Sequence, residues 1–291
     1  MLTSRNKLPS FTSSCIAVFL ILFSIASFIP FYYVIVASFS NPDLVEEGKL
    51  MLFPKGFTID AYVEILKNDK FINSFIVTIE RTLLGTVLNL ALQLTIAYSL
   101  SKSYLPGRRL FLIFIIITLL FNGGIVPTYL IVKNTGLIDT IWALVIPSAI
   151  STWNVILLRS FFESVPSSLE ESARTDGAND IYIFWRIYLP LSLPAVSTIG
   201  LFIAVNHWNS FMDAVIYLNS YDLQVLQVYL RDMVVRQEVQ ALLGDSTFDG
   251  NVSSLSLRTA SIFLSALPVL LLYPFIQKYF IKGVMIGAVK G

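Results

Sequence analysis

The chain has 291 residues, 55% of them hydrophobic and 13% charged, with a net charge of +1 and a mean hydropathy of +0.73; this balance excludes an ordinary soluble domain and puts the chain in a lipid bilayer. So small a net charge gives no basis for nucleic-acid binding, which needs a clustered basic face. The one cysteine, Cys15, cannot form an internal disulfide and reads as a small buried residue, and with one histidine, His207, it leaves no thiolate-rich metal site.

A helix that crosses a bilayer needs roughly 20 mainly apolar residues. Six stretches qualify, at 15–38, 72–100, 110–132, 139–162, 191–217 and 258–281, and an even number leaves both ends on one side. The first follows Arg5 and Lys7. Its apolar run exceeds the roughly 7 to 15 residues of a secretory signal core, so it is expected to stay as a membrane helix. Basic residues mark the cytoplasmic side. With the N-terminus inside, the inner segments hold Arg5, Lys7, Lys102, Arg108, Arg109, Arg159, Arg174, Arg186, Lys278, Lys282 and Lys290. The outer segments hold Lys49, Lys55, Lys67, Lys70, Lys133, Arg231 and Arg236 among a larger number of acids, including Asp43, Glu46, Glu47, Asp232, Asp245 and Asp249.

Along the chain, the first outer loop (39–71) carries "FTIDAYVEILKNDKFINSF", an amphipathic pattern suited to lying on the membrane surface or against the bundle. Glu80 and Arg81 come early in the second span. Sequential on a helix, they point about 100° apart and do not face each other, which leaves interhelical partners or a gating role. In the third span Gly123, Gly124 and Pro127 break or kink the helix beside Tyr129, a weak candidate for a substrate pathway. In the fifth span, "NHWNSFMD" puts Asn206, His207, Trp208, Asn209 and Asp213 on the outer half. Sugars are bound by amides, carboxylates and aromatic faces; Asn206 and Asn209 stand three apart and can share a face with Asp213, while His207 and Trp208 point elsewhere. Interhelical hydrogen bonds and an interfacial tryptophan remain the alternative. The last outer loop (218–257) ends in the polar run "GDSTFDGNVSS", expected to be exposed.

The cytoplasmic segment between the fourth and fifth spans, "EESARTDGANDIYIFWRIYLPLSLP" (170–194), is unlike its surroundings. Ser167 with Glu170 three residues on fits a capping box, so a helix should start at Ser167 after Pro166. Glu170 and Glu171 suit its first turn, Arg174 can pair with Glu170, and Gly177 can take the positive φ that stops it. Asp180 can cap a second short helix, with Ile181, Phe184, Trp185 and Tyr188 at helical spacing, until Pro190 breaks it. Small Ser172 and Ala173 beside the charges of Glu170 and Glu171 suit docking into another protein's groove. An ordinary charged loop that joins two spans stays open on composition alone.

The spacing Glu171, Ser172, Ala173, three residues, Gly177, nine residues, Ile187, one residue, Leu189, Pro190 resembles the "EAA" signature of binding-protein-dependent ABC-importer permeases, with Ser172 where alanine is usual. "FNGGIVPTYLIVKNTGLIDTIWALVIP", "HWNSFMDAVIYL" and "YPFIQKYFIKGVMIGAVKG" are similar to the carbohydrate branch of that family, particularly its oligosaccharide and polysaccharide permeases. The resemblance implies an all-α integral membrane protein of type I permease fold, with six transmembrane helices and both termini cytoplasmic, in a bacterial cytoplasmic membrane. It implies three parts: 1–71 with the first helix and outer loop, a five-helix core at 72–282 with coupling helices at 166–190, and a cytoplasmic tail at 283–291. Implied partners are a second permease subunit, two cytoplasmic ATPases that bind ATP and Mg, an extracellular solute-binding protein, a carbohydrate substrate and membrane lipid. The ATPase-coupling residues implied are Glu170, Glu171, Ser172, Ala173, Arg174, Gly177, Ile187, Leu189 and Pro190.

No stretch has the spacing of a phosphate-cradling P-loop, and there is no G-x-S-x-G elbow or H-E-x-x-H pair. The chain is therefore expected to hold no catalytic residue, cofactor or metal of its own, and to draw energy from a partner. Two other readings remain: an ABC permease for a non-sugar solute, and a non-transporting membrane scaffold or sensor.

Overall fold

The computed structural model describes residues 11–46, 52–121, 123–243 and 254–288. Arg5, Lys7, Lys49 and Lys290, used above for orientation, and most of the polar run ending the last outer loop lie outside them. Among the described residues the regular structure is helical. The chain forms two compact units, Met1–Asn68 with Met233–Ala266, and Asp69–Asp232 with Leu267–Gly291.

In the first unit, α1 (Phe11–Ser38) is followed by the short α2 (Pro42–Glu46) and α3 (Asp60–Lys67). The amphipathic expectation for the loop holds: α3 buries Ala61 and Ile65 and exposes Val63 and Leu66. Phe39 stacks between Phe57, at 5.6 Å, and Tyr62, at 4.8 Å between ring centroids, and the Tyr62 hydroxyl meets Ser38 Oγ at 2.6 Å. Residues 13–31 of α1 are exposed. Cys15 is among them, contrary to the buried position expected, because only the last turns of α1 (Val36 and Ala37) enter a packed cluster, with Val45.

The second unit is organised around α4 (Asp69–Ser101). At 1.5 Å per residue its 33 residues extend about 50 Å, past a hydrocarbon core of about 30 Å. After it come α5 (Arg108–Leu120), α6 (Ile125–Asn134), α7 (Trp142–Val145), α8 (Thr152–Glu163), α9 (Ser167–Thr175), α10 (Asp180–Ile183) continued by a π-helical stretch (Phe184–Tyr188), α11 (Leu189–Leu191), α12 (Leu193–Asn209), α13 (Met212–Tyr217) and α14 (Leu226–Leu243). The last helix, α15, runs over Ser254–Ala288; α14 from Met233 on and α15 as far as Ala266 belong to the first unit.

Among the described residues, three helices are long and apolar enough to cross a membrane unbroken: Ser13–Ser38, Asp69–Ser101 and Ser254–Leu272. The other apolar stretches are bent or broken. α5 and α6 meet at 116°, where Gly124 takes φ +83° at the head of α6, a conformation glycine reaches without a Cβ penalty; this is the break that Gly123, Gly124 and Pro127 signalled. The stretch at 139–162 was expected to be one helix and is two, α7 and α8, separated at 146–151. Pro147 lies in the gap and has no N–H for a helical bond. The freed carbonyls of Ser148 and Ala149 are taken up by two amides of α4, Asn89 at 3.2 Å and Gln93 at 3.0 Å, which is how irregular backbone is accommodated at membrane depth. The stretch at 191–217 also divides, α12 ending at Asn209 before extended Ser210.

α4 packs against both α8 and α12. One apolar cluster joins Leu94, Ala97 and Leu100 of α4, Val155, Leu158 and Phe162 of α8, and Val196, Ile199 and Ile203 of α12. Ile183 and Tyr188, from the segment between α9 and α12, are buried in the same cluster. Toward the start of α4 a second cluster gathers Val77, Val132, Leu144, Ala214, Tyr217 and Val228.

Candidate functional site

Residues 166–192 form the helix-turn-helix bracket that the sequence called for, with its details moved. α9 does begin at Ser167, but its cap is Pro166 and no side chain caps it. The expected capping box is absent because the Glu170 carboxylate is bound elsewhere, and Ser167 already has helical geometry. The end of α9 follows expectation: Gly177 has φ +84°, its N–H donates to Arg174 O at 3.0 Å, and the Ala178 N–H donates to Ala173 O at 2.9 Å. This pair of bonds is the Schellman arrangement, and Ala173 and Ala178 both pack against the apolar cluster.

The largest departure is the direction of Glu170. Expected to present charge outward beside Glu171, it is instead 9% exposed and faces the bundle. Its Oε2 accepts from Lys102 Nζ and from the Tyr188 hydroxyl, each at 2.7 Å. Its Oε1 accepts from Arg174 Nε and Nη2 at 3.2 and 2.9 Å, the i,i+4 pair foreseen. Arg174 also bonds Asp180 and donates to the Tyr104 hydroxyl at 2.6 Å. Lys102, just past the end of α4, lies 3.6 Å from the Tyr188 ring centroid and 4.3 Å from that of Tyr98, a cation–π arrangement. Tyr98 and Tyr188 belong to a knot of rings with Phe162 and Phe184, neighbouring centroids lying 5.0 to 6.3 Å apart. Sequence reasoning missed Lys102, Tyr98 and Tyr104; the visible signal was a lone lysine at the end of a long apolar helix, in "YSLSKSY".

Burial pushes the Glu170 carboxyl up, but hydrogen bonds from Lys102, Tyr188 and Arg174 outweigh it and hold the group down to about 2, from an ordinary 4.5. A depressed carboxyl stabilises the fold above its unfolded value and loses that contribution as pH falls through the folded one. The gap in thermal midpoint between the native chain and Glu170→Gln should therefore be constant between pH 4.5 and neutrality and shrink as pH drops toward 2; a gap unchanged across that acid range would contradict this assignment.

The second arm also differs from expectation. Its cap is Asn179, whose side chain accepts from the Tyr182 N–H at 2.8 Å, and not Asp180, which is drawn to Arg174. The helix does not stop at Pro190. Winding loosens to π over Phe184–Tyr188, then continues through Pro190, and the 84° bend falls at Ser192; a π stretch accommodates a residue that would clash within α-helical winding. The buried face carries Ile183 and Tyr188 with Phe184 and Ile187 beside them, while Ile181 and Trp185 are exposed. Between the arms runs a groove of ≈ 770 Å³ lined by Ser172, Ala173, Gly177, Tyr182, Arg186 and Ile187, among others. The structure thus brings Ser172, Ala173, Gly177 and Ile187 to one groove, leaves Glu171 and Pro190 exposed, packs Leu189 against the core and turns Glu170 and Arg174 into the brace.

Of the candidate pathway residues, Asn206 and Asn209 are exposed on α12. Asp213 does not continue their face, since the helix ends between them at Ser210. It bonds Arg81 and accepts from Ser210 Oγ at 3.0 Å and its neighbour's N–H at 2.9 Å. Arg81, 1% exposed, also donates to Ser210 O at 2.9 Å, so the interhelical partner expected for it is the bend after α12. Trp208 is buried, edge-on to Phe75 at 5.9 Å. Tyr129 stacks on Tyr217 at 6.4 Å beside the second cluster. His207 meets Asn89 at 2.8 Å over Gly85, where an added Cβ would come within 2.4 Å of the ring. No group of His, Cys, Asp and Glu that could hold a metal occurs among the described residues.

The chain is 44% identical over 276 residues to the polygalacturonan/rhamnogalacturonan transport system permease protein YtcP of Bacillus subtilis, covering 94% of this chain and 96% of that one. It is 32% identical over 281 residues, 94% of this chain and 87% of the other, to a probable ABC transporter permease protein, YurM, of the same organism. Its fold matches a chain of a solved bacterial ABC transporter involved in the import of the acidic polysaccharide alginate, with TM-score 0.85 and 34% identity, over 94% of this chain and 100% of that one. No protein-family model matches it.

Proposed function

The chain belongs to the ABC-transporter permeases for sugars, and from that premise we propose that it forms half of the translocation pathway of an ATP-driven oligosaccharide importer and couples that pathway to cytoplasmic ATPases through the bracket at 166–190. The observation that carries this reading is continuity. Ile183 and Tyr188 of the bracket share one buried cluster with α4, α8 and α12, so a push on the bracket is a push on three bundle helices. The small-residue groove of Ser172, Ala173 and Gly177 supplies the surface on which a partner's backbone can come close.

In this reading six spans leave both termini inside, a second permease completes the pathway, and an extracellular binding protein delivers the sugar. The working parts are 1–71, the core at 72–282 and the tail at 283–291. Two ATPases bind ATP and Mg; their closure on the paired brackets tilts the bundles from outward to inward opening. Exposed Asn206 and Asn209 are the residues of this chain suited to a sugar's hydroxyls; Tyr129, Trp208 and Asp213, each held by contacts of its own, are the weaker candidates for the pathway. The membrane is the bacterial cytoplasmic membrane. The names of the relatives favour a long-chain sugar as cargo.

The test is ATP hydrolysis by the reconstituted complex, with binding protein present, across a panel of solutes. Stimulation by oligosaccharides alone is expected. Stimulation by peptides or amino acids would move the chain to the non-sugar reading, and purification without any ATPase would favour the scaffold.

A further inference from the structure

We propose that Lys102 is a positioning residue for energy coupling: its ion pair with Glu170 fixes the orientation of α9 on the end of α4, so that movement of the bracket is passed on as tilt of the bundle. The proposal rests on the coupling role given to the bracket above.

The geometry is that of a joint. Lys102 is 6% and Glu170 9% exposed, and both carboxylate oxygens are engaged, one by Lys102 and Tyr188 and the other by Arg174. The three donors come from different places along the chain: the end of α4, the π stretch and α9 itself. They meet at one acceptor, which locks the two arms of the bracket and the central helix to a single point. Apart from the hydrogen bonds that tie the Tyr98 and Tyr104 hydroxyls to Asp180 and Arg174 at the exposed rim, the other contacts between bracket and bundle are apolar or ring against ring, through Ala173, Ile183, Phe184 and Tyr188. Such surfaces resist separation but are non-directional, so they allow one element to turn or slide on another. A buried ion pair has the opposite profile. Well-packed apolar groups of the same volume often serve stability as well, and its best-attested use is to select one register.

That contrast gives a test that a merely structural role would not satisfy. The double variant Lys102→Met with Glu170→Gln removes both charges and leaves no buried charge alone. Uptake and ATP hydrolysis are to be measured on the same proteoliposomes carrying the full complex with its binding protein. The expected result is a complex in which the ATPase still co-purifies, but with uptake per ATP hydrolysed reduced about 10-fold, within the usual range of coupling between sites. Lys102→Arg, which keeps the charge, should recover most of it. Tyr188→Phe removes one hydrogen bond and keeps the ring, and it should lower the ratio in the same direction. A native ratio in the double variant would overturn the proposal, as would loss of the ATPase from the double variant together with a native ratio in Tyr188→Phe. Absence of ATP-driven uptake in the native complex would instead count against the coupling role itself.

Discussion

Gly177→Val is expected to abolish uptake while the chain still inserts and accumulates in the membrane. Gly177 sits at φ +84°, where a residue with a Cβ costs about 1–2 kcal/mol and a β-branched one is a gross outlier. No atom lies within 4 Å of the place a Cβ would occupy, so the cost is in the backbone and not in crowding. The turn therefore has to open, which breaks the bonds of Gly177 and Ala178 to the last carbonyls of α9 and shifts one wall of the groove. Gly177→Asn separates conformation from bulk, since asparagine tolerates positive φ. It should retain most of the uptake if the conformation is what matters. Uptake assays in membranes carrying equal amounts of each variant read the result directly.

Asp213→Ala should destabilise the protein by about 3–5 kcal/mol, the usual cost of leaving one partner of a buried pair alone. Arg81 is 1% exposed on its side-chain atoms and Asp213 23%, so the guanidinium suffers more from losing its partner than the carboxylate would. After the change Arg81 keeps the Ser210 carbonyl, while its Nε already lacks a hydrogen-bond partner. Arg81→Met combined with Asp213→Ala should recover most of the loss, because no charge is then left buried. Thermal midpoints in detergent for the single and double variants give the comparison; equal losses in both would contradict the pairing as the source of stability.

What could be read from the amino-acid order follows the range of the interactions. The Gly177 stop of α9 and the Glu170–Arg174 pair are decided within a few residues of each other, and each came out where local chemistry put it, while α9 starts at Ser167 as expected but without the capping box. The inward turn of Glu170 was not legible, because the lysine that draws it in is 68 residues away in sequence and nothing near Glu170 points to it. The cap of the second arm shifted from Asp180 to Asn179 for a nearer cause: Arg174, six residues back, claims Asp180. Breaks in the apolar stretches were half legible. Gly123, Gly124 and Pro127 announce one, while the gap at 146–151 depends on Asn89 and Gln93 of another helix donating to its carbonyls, which hydropathy does not register. Arg81 was recognisable as needing a partner, but only the fold shows that Asp213 meets it across the end of α12.

A cysteine crosslink from the groove tests the central claim most directly. Asp176 lines the groove and is exposed, and the only native thiol, Cys15, can be removed as Cys15→Ser. In that background Asp176→Cys should crosslink to the ATPase subunit in membranes and be protected from a membrane-impermeant thiol reagent added outside intact cells. Labelling of that cysteine from the exterior, or its failure to reach any ATPase, would contradict the role given to the bracket.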